Sequence, residues 1–366
     1  MKTPWELLKE SKTKIKTTWR IAFVSALVLG LLIHLPVMLS DIPNHDGLSS
    51  MYFDQNMITS GRWFLTVACG FSSYFTIPWV IGLIGLIWLA LTAAVLTEVL
   101  ELTDPVTITV VSGLLVSFPA LASTFAYVFT MDGYMLALFL AVLAVLFTAK
   151  YPRGYLAGAV CLAFSMGIYQ AYLPFTILLC VYKILLYFME EKGWKEKAKY
   201  VCHYLGMGIA GGVLYYVILQ ILLKLQGKVL DTYQGINSME QMGSGMGILA
   251  TIKGMYVDFL AFTVHGNVLV NNIFSLVACI ILVATVVFLV IRSMIWRKWW
   301  KNPAFFVIMI LLGISMPLLT NVILLISPNL TYHLLMRYQW VLYLILMTAF
   351  ADRYTCLLYT SPSPRD

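Results

Sequence analysis

Charge is scarce in this chain. Only 11% of its 366 residues are charged and 61% are hydrophobic, whereas about a quarter of a soluble domain is charged. A water-soluble fold is excluded, and a polytopic membrane protein is expected. Cysteine is sparse as well. The six cysteines show no CxxC or CxxH spacing and five lie in apolar runs, so they read as small core residues rather than disulfides or zinc ligands. Alternating polar and apolar strand patterns are missing, which leaves helices rather than a barrel to satisfy the backbone in lipid. No internal repeat, no DxD-type nucleotide-sugar motif and no segment large enough for a soluble catalytic domain occur. Activated nucleotides are therefore not expected as substrates, and an inverted-repeat transporter lacks its sequence sign.

What is present is length. A crossing of about 30 Å of hydrocarbon takes roughly 20 apolar residues. Ten runs qualify as candidates: 21–39, 77–99, 106–126, 134–149, 155–171, 173–189, 200–223, 268–291, 304–326 and 336–350. The fold class expected is all-α, with about ten transmembrane helices in a single unit over 1–356. The first run is too long for a removable signal peptide and lacks a small-residue cleavage site. The stretch "LLYTSPSPRD" (357–366) departs from this composition. It reads as a non-native read-through tail, with native chain expected to continue beyond it.

The net charge of +7 does not point to nucleic acid, because its distribution follows the membrane. Lys2, Lys9, Lys12, Lys14, Lys16 and Arg20 precede the first run, and further basic residues gather at 150–153, 183–199 and 292–301. With a cytoplasmic N-terminus, only Arg62, Lys224, Lys228, Lys253 and Arg337 of the 24 basic residues face outward. This is the positive-inside pattern of a plasma (inner) membrane protein. It puts the loops 40–76 and 224–267 outside. The Gly- and Met-rich stretch 234–254 in the second of these is either a flexible cover for a ligand or a plain connection. "GMGIAGG" (206–212) matches GxGxxG formally, but it lies inside an apolar run with no preceding strand. Its small residues suit close helix packing rather than a dinucleotide.

Against this background "DIPNHDGLSSMYFDQNMITSGRWF" (41–64) stands out. Asp41 and Asp46 follow the first run directly, and Asp132 in "MDGY" (131–134) follows the third. Carboxylates at membrane-entry depth are costly unless they line a cavity or meet a partner. All three are candidate catalytic groups, and ordinary solvated loop charges are the alternative. Asp41 and His45 have a spacing compatible with a divalent metal, but Pro43 interrupts the helical face that would aim both at one ion. No cofactor is expected, and His45 reads as a polar neighbour of the carboxylates in a substrate site. Arg62 and Trp63 in "SGRW" begin the next element. The arginine either stacks and pairs structurally or binds an anionic head group, since its planar fork suits phosphate. Arg337 in "LLMRYQW" (334–340) sits in an apolar run, which implies a partner or a phosphate. Tyr169 and Gln170 in "GIYQAYLPF" (167–175) either bond helices together or contact a sugar through rings and an amide.

Asp46, "SGRWF", Phe118–Pro119 in the third run, "MDGY" and "YQAYL" occur in this order. Together they resemble the bacterial GtrII-type glucosyltransferase family over roughly residues 20 to 350. The resemblance implies a GT-C-like membrane enzyme that modifies surface polysaccharide from a polyprenyl-phosphate-linked sugar, with chemistry on the outer face. By residue it implies Asp46 and Asp132 as the two loop acids, Arg62 as the motif arginine, and Tyr169 with Gln170 as the YQ pair. Because polyprenyl phosphate leaves without protonation, one carboxylate base suffices. The rival expectation is a flippase or transporter of a lipid-linked sugar, which needs a polar path through the bilayer. Mid-span ionisable residues are nearly absent.

Overall fold

The computed structural model describes residues 15–40, 54–70, 77–190, 192–231, 248–296, 303–327 and 330–359. Within them the chain is helical and contains no strand, only an isolated antiparallel bridge between Met57 and Arg62. The all-α expectation holds. The helices are α1 (Thr17–Leu39), α2 (Leu65–Ala68), α3 (Pro78–Leu100), α4 (Pro105–Ser117), α5 (Pro119–Phe125), α6 (Met131–Lys150) and α7 (Gly154–Ile168). They continue as α8 (Leu173–Phe188), α9 (Trp194–Gln226), α10 (Ile248–His265), α11 (Ile273–Trp296), α12 (Pro303–Thr320), α13 (Ile323–Ile326) and α14 (Val341–Tyr359).

Proline and small residues set much of this layout. Pro78, Pro105, Pro119 and Pro174 each occupy the first turn of a helix, where the missing N–H costs nothing. Asp104 caps α4 by accepting the Thr107 N–H at 2.7 Å. This exposed carboxyl lies below its ordinary range, chiefly because of that backbone bond. Helix α6 forms the centre, packed against α3, α7 and α8. Apolar burial drives little helix association in lipid, so small residues and interhelical hydrogen bonds carry it. Gly158 sits under Thr148 and Met207, and Gly211 lies on Ala159 and Leu162. The formal GxGxxG stretch is thus helical, with Gly211 as a packing contact.

Among the described residues eight helices are long and apolar enough to cross a membrane, nine with the bent pair α4–α5, and two shorter apolar helices accompany them. One of the eight, α10, falls inside the 224–267 stretch that the sequence suggested was a loop. Its contacts keep it at one end of the bundle. The last residues of α9 adjoin the Arg62 end, where the Asp231 N–H donates to Thr59 O at 2.9 Å. Arg353 on α14 reaches Glu101 at 2.9 Å, at the opposite end. Thr320, closing α12, meets Tyr343 near the start of α14. The middle of α10, at Met255 and Asp258, lies beside Asn321 at the end of α12. The other seven long helices, the bent pair and the two shorter ones coincide with the ten apolar runs of the sequence. The expected outer stretch therefore contains a helix, whose Lys253 and Asp258 lowered its apolar contrast in the sequence.

The 49° break between α4 and α5 follows from Pro119. Proline has no N–H for the carbonyl four residues earlier, Leu115 O. The Tyr338 hydroxyl donates to that oxygen instead, and His34 Nε2 bonds the next carbonyl, Val116 O, at 2.8 Å. His34 also stacks on Phe125 with ring centroids 3.9 Å apart.

Candidate active site at the rim of the bundle

The loop carrying Arg62 is clamped to the helix ends by its backbone. Ile58–Ser60 form a 3-10 turn closed by Gly61 at φ +78°, whose N–H returns to Ile58 O at 2.9 Å. Gln170 Nε2 donates to Ser60 O at 3.1 Å and to the Tyr215 hydroxyl at 3.0 Å. Tyr215 in turn donates to Gly61 O at 3.0 Å. A Cβ at Gly61 would lie 2.5 Å from the Tyr215 oxygen and 2.6 Å from Gln170 Nε2. Only glycine meets both the left-handed backbone and this approach. Two residues on, the Trp63 ring covers Gly167, where a Cβ would come within 2.6 Å of it. The Phe64 N–H donates to Gly167 O at 2.7 Å. The Trp63 indole N–H is buried with no acceptor among the described residues.

This scaffold holds the Arg62 guanidinium. Its Nη1 donates to the Tyr134 hydroxyl at 3.1 Å, and its Cζ lies 5.1 Å from the centre of the Tyr169 ring. Tyr134 and Tyr169 stack on each other with centroids 4.2 Å apart and planes 12° from parallel. Cation–π contact and stacking fix the guanidinium more tightly than solvent would. Asp132 lies two residues before Tyr134, in the first turn of α6. It is buried at 3% exposure and accepts the Gly133 N–H at 2.9 Å. A helix N-terminus favours a negative charge at that position.

A cavity of about 230 Å³ opens beside this group. Arg62, Tyr169, Gln170 and Tyr215 form its polar end, while Leu173, Ile323, Ile326 and Leu330 line the rest. Gly208 and Tyr216, also in its wall, belong to the exposed face of α9, so the apolar part adjoins the lipid-facing side. An amphiphile with an anionic head matches such walls.

Arg337 does not line that cavity, although its neighbour Met336 does. It sits in the 3-10 turn Leu334–Trp340 and grips Asp258 on α10 with two hydrogen bonds of 2.7 Å. Rings of Tyr332, Phe262 and Trp340 surround it at 3.9, 4.6 and 5.5 Å. Asn321 donates to the same carboxylate at 3.1 Å. Of the two readings of Arg337, a partner or a phosphate, the partner is present. Asp41, His45 and Asp46 lie outside the described residues. No cluster of three or more His, Cys, Asp or Glu able to hold a metal occurs among the described residues.

Arg62, Tyr169 and Gln170 thus converge on one cavity, with the Trp63 ring packed on Gly167 behind them, whereas Asp132 lies in the first turn of α6 and does not line that cavity. Gln170 acts first as the tether of the arginine loop, a role left open against sugar contact in the sequence. Tyr134 and Tyr215 escaped notice there. Tyr134 is foreshadowed only by its place in "MDGY", and Tyr215 by nothing in its apolar surroundings. The sequence model of the family described as Glucosyl transferase GtrII matches residues 35–350, most of the chain and all the rim residues. No curated protein and no solved structure matches the chain.

Proposed function

The chain belongs to the GtrII glucosyl transferase family, and from that premise we propose how this membrane glycosyltransferase works. A glucosyl group passes from a polyprenyl-phosphate-linked donor to a surface glycan acceptor. The reaction takes place on the outer face of the bacterial inner membrane, with the N-terminus in the cytoplasm. The observation that carries the reading is the cavity with Arg62 at its polar end and apolar walls next to the lipid-facing side of α9. A polyprenyl phosphate has the same division: a phosphate for the guanidinium, and an isoprenoid for Leu173, Ile323 and Ile326. The stacked Tyr134–Tyr169 pair keeps the fork pre-aimed, so little ordering remains to be done on binding.

In the reaction a loop carboxylate takes the proton of the acceptor hydroxyl as its oxygen bonds to C1 of the sugar. The C1–O bond to phosphate breaks, and the electron pair leaves with polyprenyl phosphate. Arg62 stabilises the charge that accumulates there. Asp46 is the first choice of base, on its place in the sequence, past Pro43 in the polar stretch that follows the first apolar run. Asp132 is the second, as base or as orienter of the acceptor. Loss of a general base costs about a hundredfold to ten-thousandfold in rate. Asp46→Asn is expected to express, retain donor lipid and lose at least that factor in sugar transfer from a labelled polyprenyl-phosphate donor. A defect confined to Asp132→Asn exchanges the two roles; full activity in both variants removes the catalytic function from the rim.

A further inference from the structure

A second cavity, of about 400 Å³, lies at the other end of the bundle. Eighteen residues of α6 separate Asp132 from Lys150 in its wall, a rise of about 27 Å. Its walls carry three carboxylates, Glu98, Glu101 and Glu190, and all are engaged. Glu98 accepts from Lys16 at 2.7 Å, from Trp19 at 2.9 Å and from Lys150. Glu101 accepts from the buried Lys183 at 2.6 Å and from Arg353 at 2.9 Å. Glu190 pairs with Lys192 at 2.9 Å and Arg353 at 3.8 Å.

The cations, each paired with one of these glutamates, outnumber them. Lys150, Lys183, Lys192 and Arg353 line the cavity with those three carboxylates, and Lys16 adds a fifth positive charge at Glu98. Five cations against three carboxylates leave two positive charges. Each ammonium has three donors and each guanidinium five, more than three carboxylates engage. Surplus donors and surplus positive charge around one hollow call for an anion. The hollow also lies where spans α3, α6 and α8 end, the depth of a lipid head group. Basic pockets between helix ends suit phosphate head groups.

We propose that this cavity binds a phosphate group, carried by a membrane phospholipid or free in solution, with Lys150, Lys192 and Arg353 as its donors. The inference rests on the far end of the bundle and is independent of the transferase reading. Full-length protein, stripped of lipid in detergent, is titrated with phosphatidylglycerol in mixed micelles and, separately, with inorganic phosphate. Retained lipid is counted by native mass spectrometry. One phosphatidylglycerol per chain, displaced by inorganic phosphate, assigns the site to the head-group phosphate; saturation by inorganic phosphate alone assigns it to the soluble anion. Lys192→Gln and Lys150→Gln should each weaken binding at least tenfold. Glu190→Gln, which frees Lys192 and Arg353, should tighten it, and the exposed Lys195→Gln should change nothing. Should Lys150→Gln fail to fold without its Glu98 contact, the opposite signs at Lys192 and Glu190 still decide. No saturable binding of either probe overturns the proposal. Lipid retention indifferent to all these charges, or lowered equally by Lys195→Gln, does so too.

Discussion

Replacing Gly61 by alanine tests whether the clamped loop governs Arg62. The backbone at φ +78° costs an L-residue about 1–2 kcal/mol. The added Cβ would also enter space held by Tyr215 and Gln170, at 2.5 and 2.6 Å. Packed side chains with little slack cannot yield that far, so the loop must lift. Lifting breaks the two hydrogen bonds that reach the loop, from Gln170 to Ser60 and from Tyr215 to Gly61. With the backbone strain and a net 0.5–1.5 kcal/mol for each bond, the seated loop loses about 2–5 kcal/mol in all. Since 1.4 kcal/mol is about a factor of ten, the seated conformation is disfavoured by about thirtyfold or more relative to wild type. Arg62 leaves its place against Tyr134 and Tyr169 with it. Sugar transfer from a labelled polyprenyl-phosphate donor should fall by at least that factor. The melting temperature in detergent should move less, because the loop lies at the rim and not among the packed spans. Gly61→Asn separates the two causes: asparagine tolerates the left-handed backbone but still brings a Cβ, so it should remain inactive. Wild-type turnover in Gly61→Ala would refute the reasoning, and activity restored by Asn alone would assign the defect to backbone strain.

Three further outcomes are expected. Asp258→Asn leaves the Arg337 guanidinium without its charge partner. Removing one member of a buried pair costs about 3–5 kcal/mol; with the Asp258 side chain 27% exposed, about 2–3 kcal/mol is expected, read by denaturation in mixed micelles. Arg337→Lys keeps the charge but loses the fork, and a raised KM for donor in that variant would show that the residue also serves the phosphate. Burial pushes the Glu101 carboxyl up, but hydrogen bonds and charge from Lys183 and Arg353 outweigh it and hold the group below its ordinary value of 4.5. A depressed folded-state pKa contributes stability that is present above that ordinary value and lost as pH falls through the lower folded one. Acid melting curves should therefore flatten below about pH 4.5 in Lys183→Gln relative to wild type. For orientation, cysteine introduced at Ser50 should react with an impermeant reagent in whole cells and cysteine at Glu191 should not; the reverse pattern would invert the outer-face assignment.

The spans were legible because lipid imposes one requirement, about twenty apolar residues in a row, and each of the ten runs falls on helix without knowledge of its partners. Helix α10 was not legible. It carries Lys253 and Asp258, its register is set by Arg337 and Asn321 from distant parts of the chain, and its sequence alone resembles an amphipathic connection. The rim was legible in part. Asp132 and Arg62 stand out as charges beside apolar runs, but Tyr134 and Tyr215 are two tyrosines among 21. Only the fold singles them out, by placing one phenol on a guanidinium and the other on a glycine carbonyl.

The broken span shows how the same logic reaches the site from below. Pro119 deprives Leu115 O of its donor, and a carbonyl left bare in hydrocarbon costs several kcal/mol. Tyr338 and His34 supply the two donors that the break requires. Tyr338 is also the residue after Arg337, and its ring stacks on Phe175 at 5.8 Å, close to the start of α8. The kink, the Arg337–Asp258 clasp and the YQ turn are therefore joined through one aromatic side chain. Helix α5 runs from the kink to the turn Val128–Thr130 and thence to Asp132. The angle of the break thus sets where the Asp132 carboxylate enters the rim. A straight third span would need no tyrosine or histidine at its centre, and it would carry the start of α6 elsewhere.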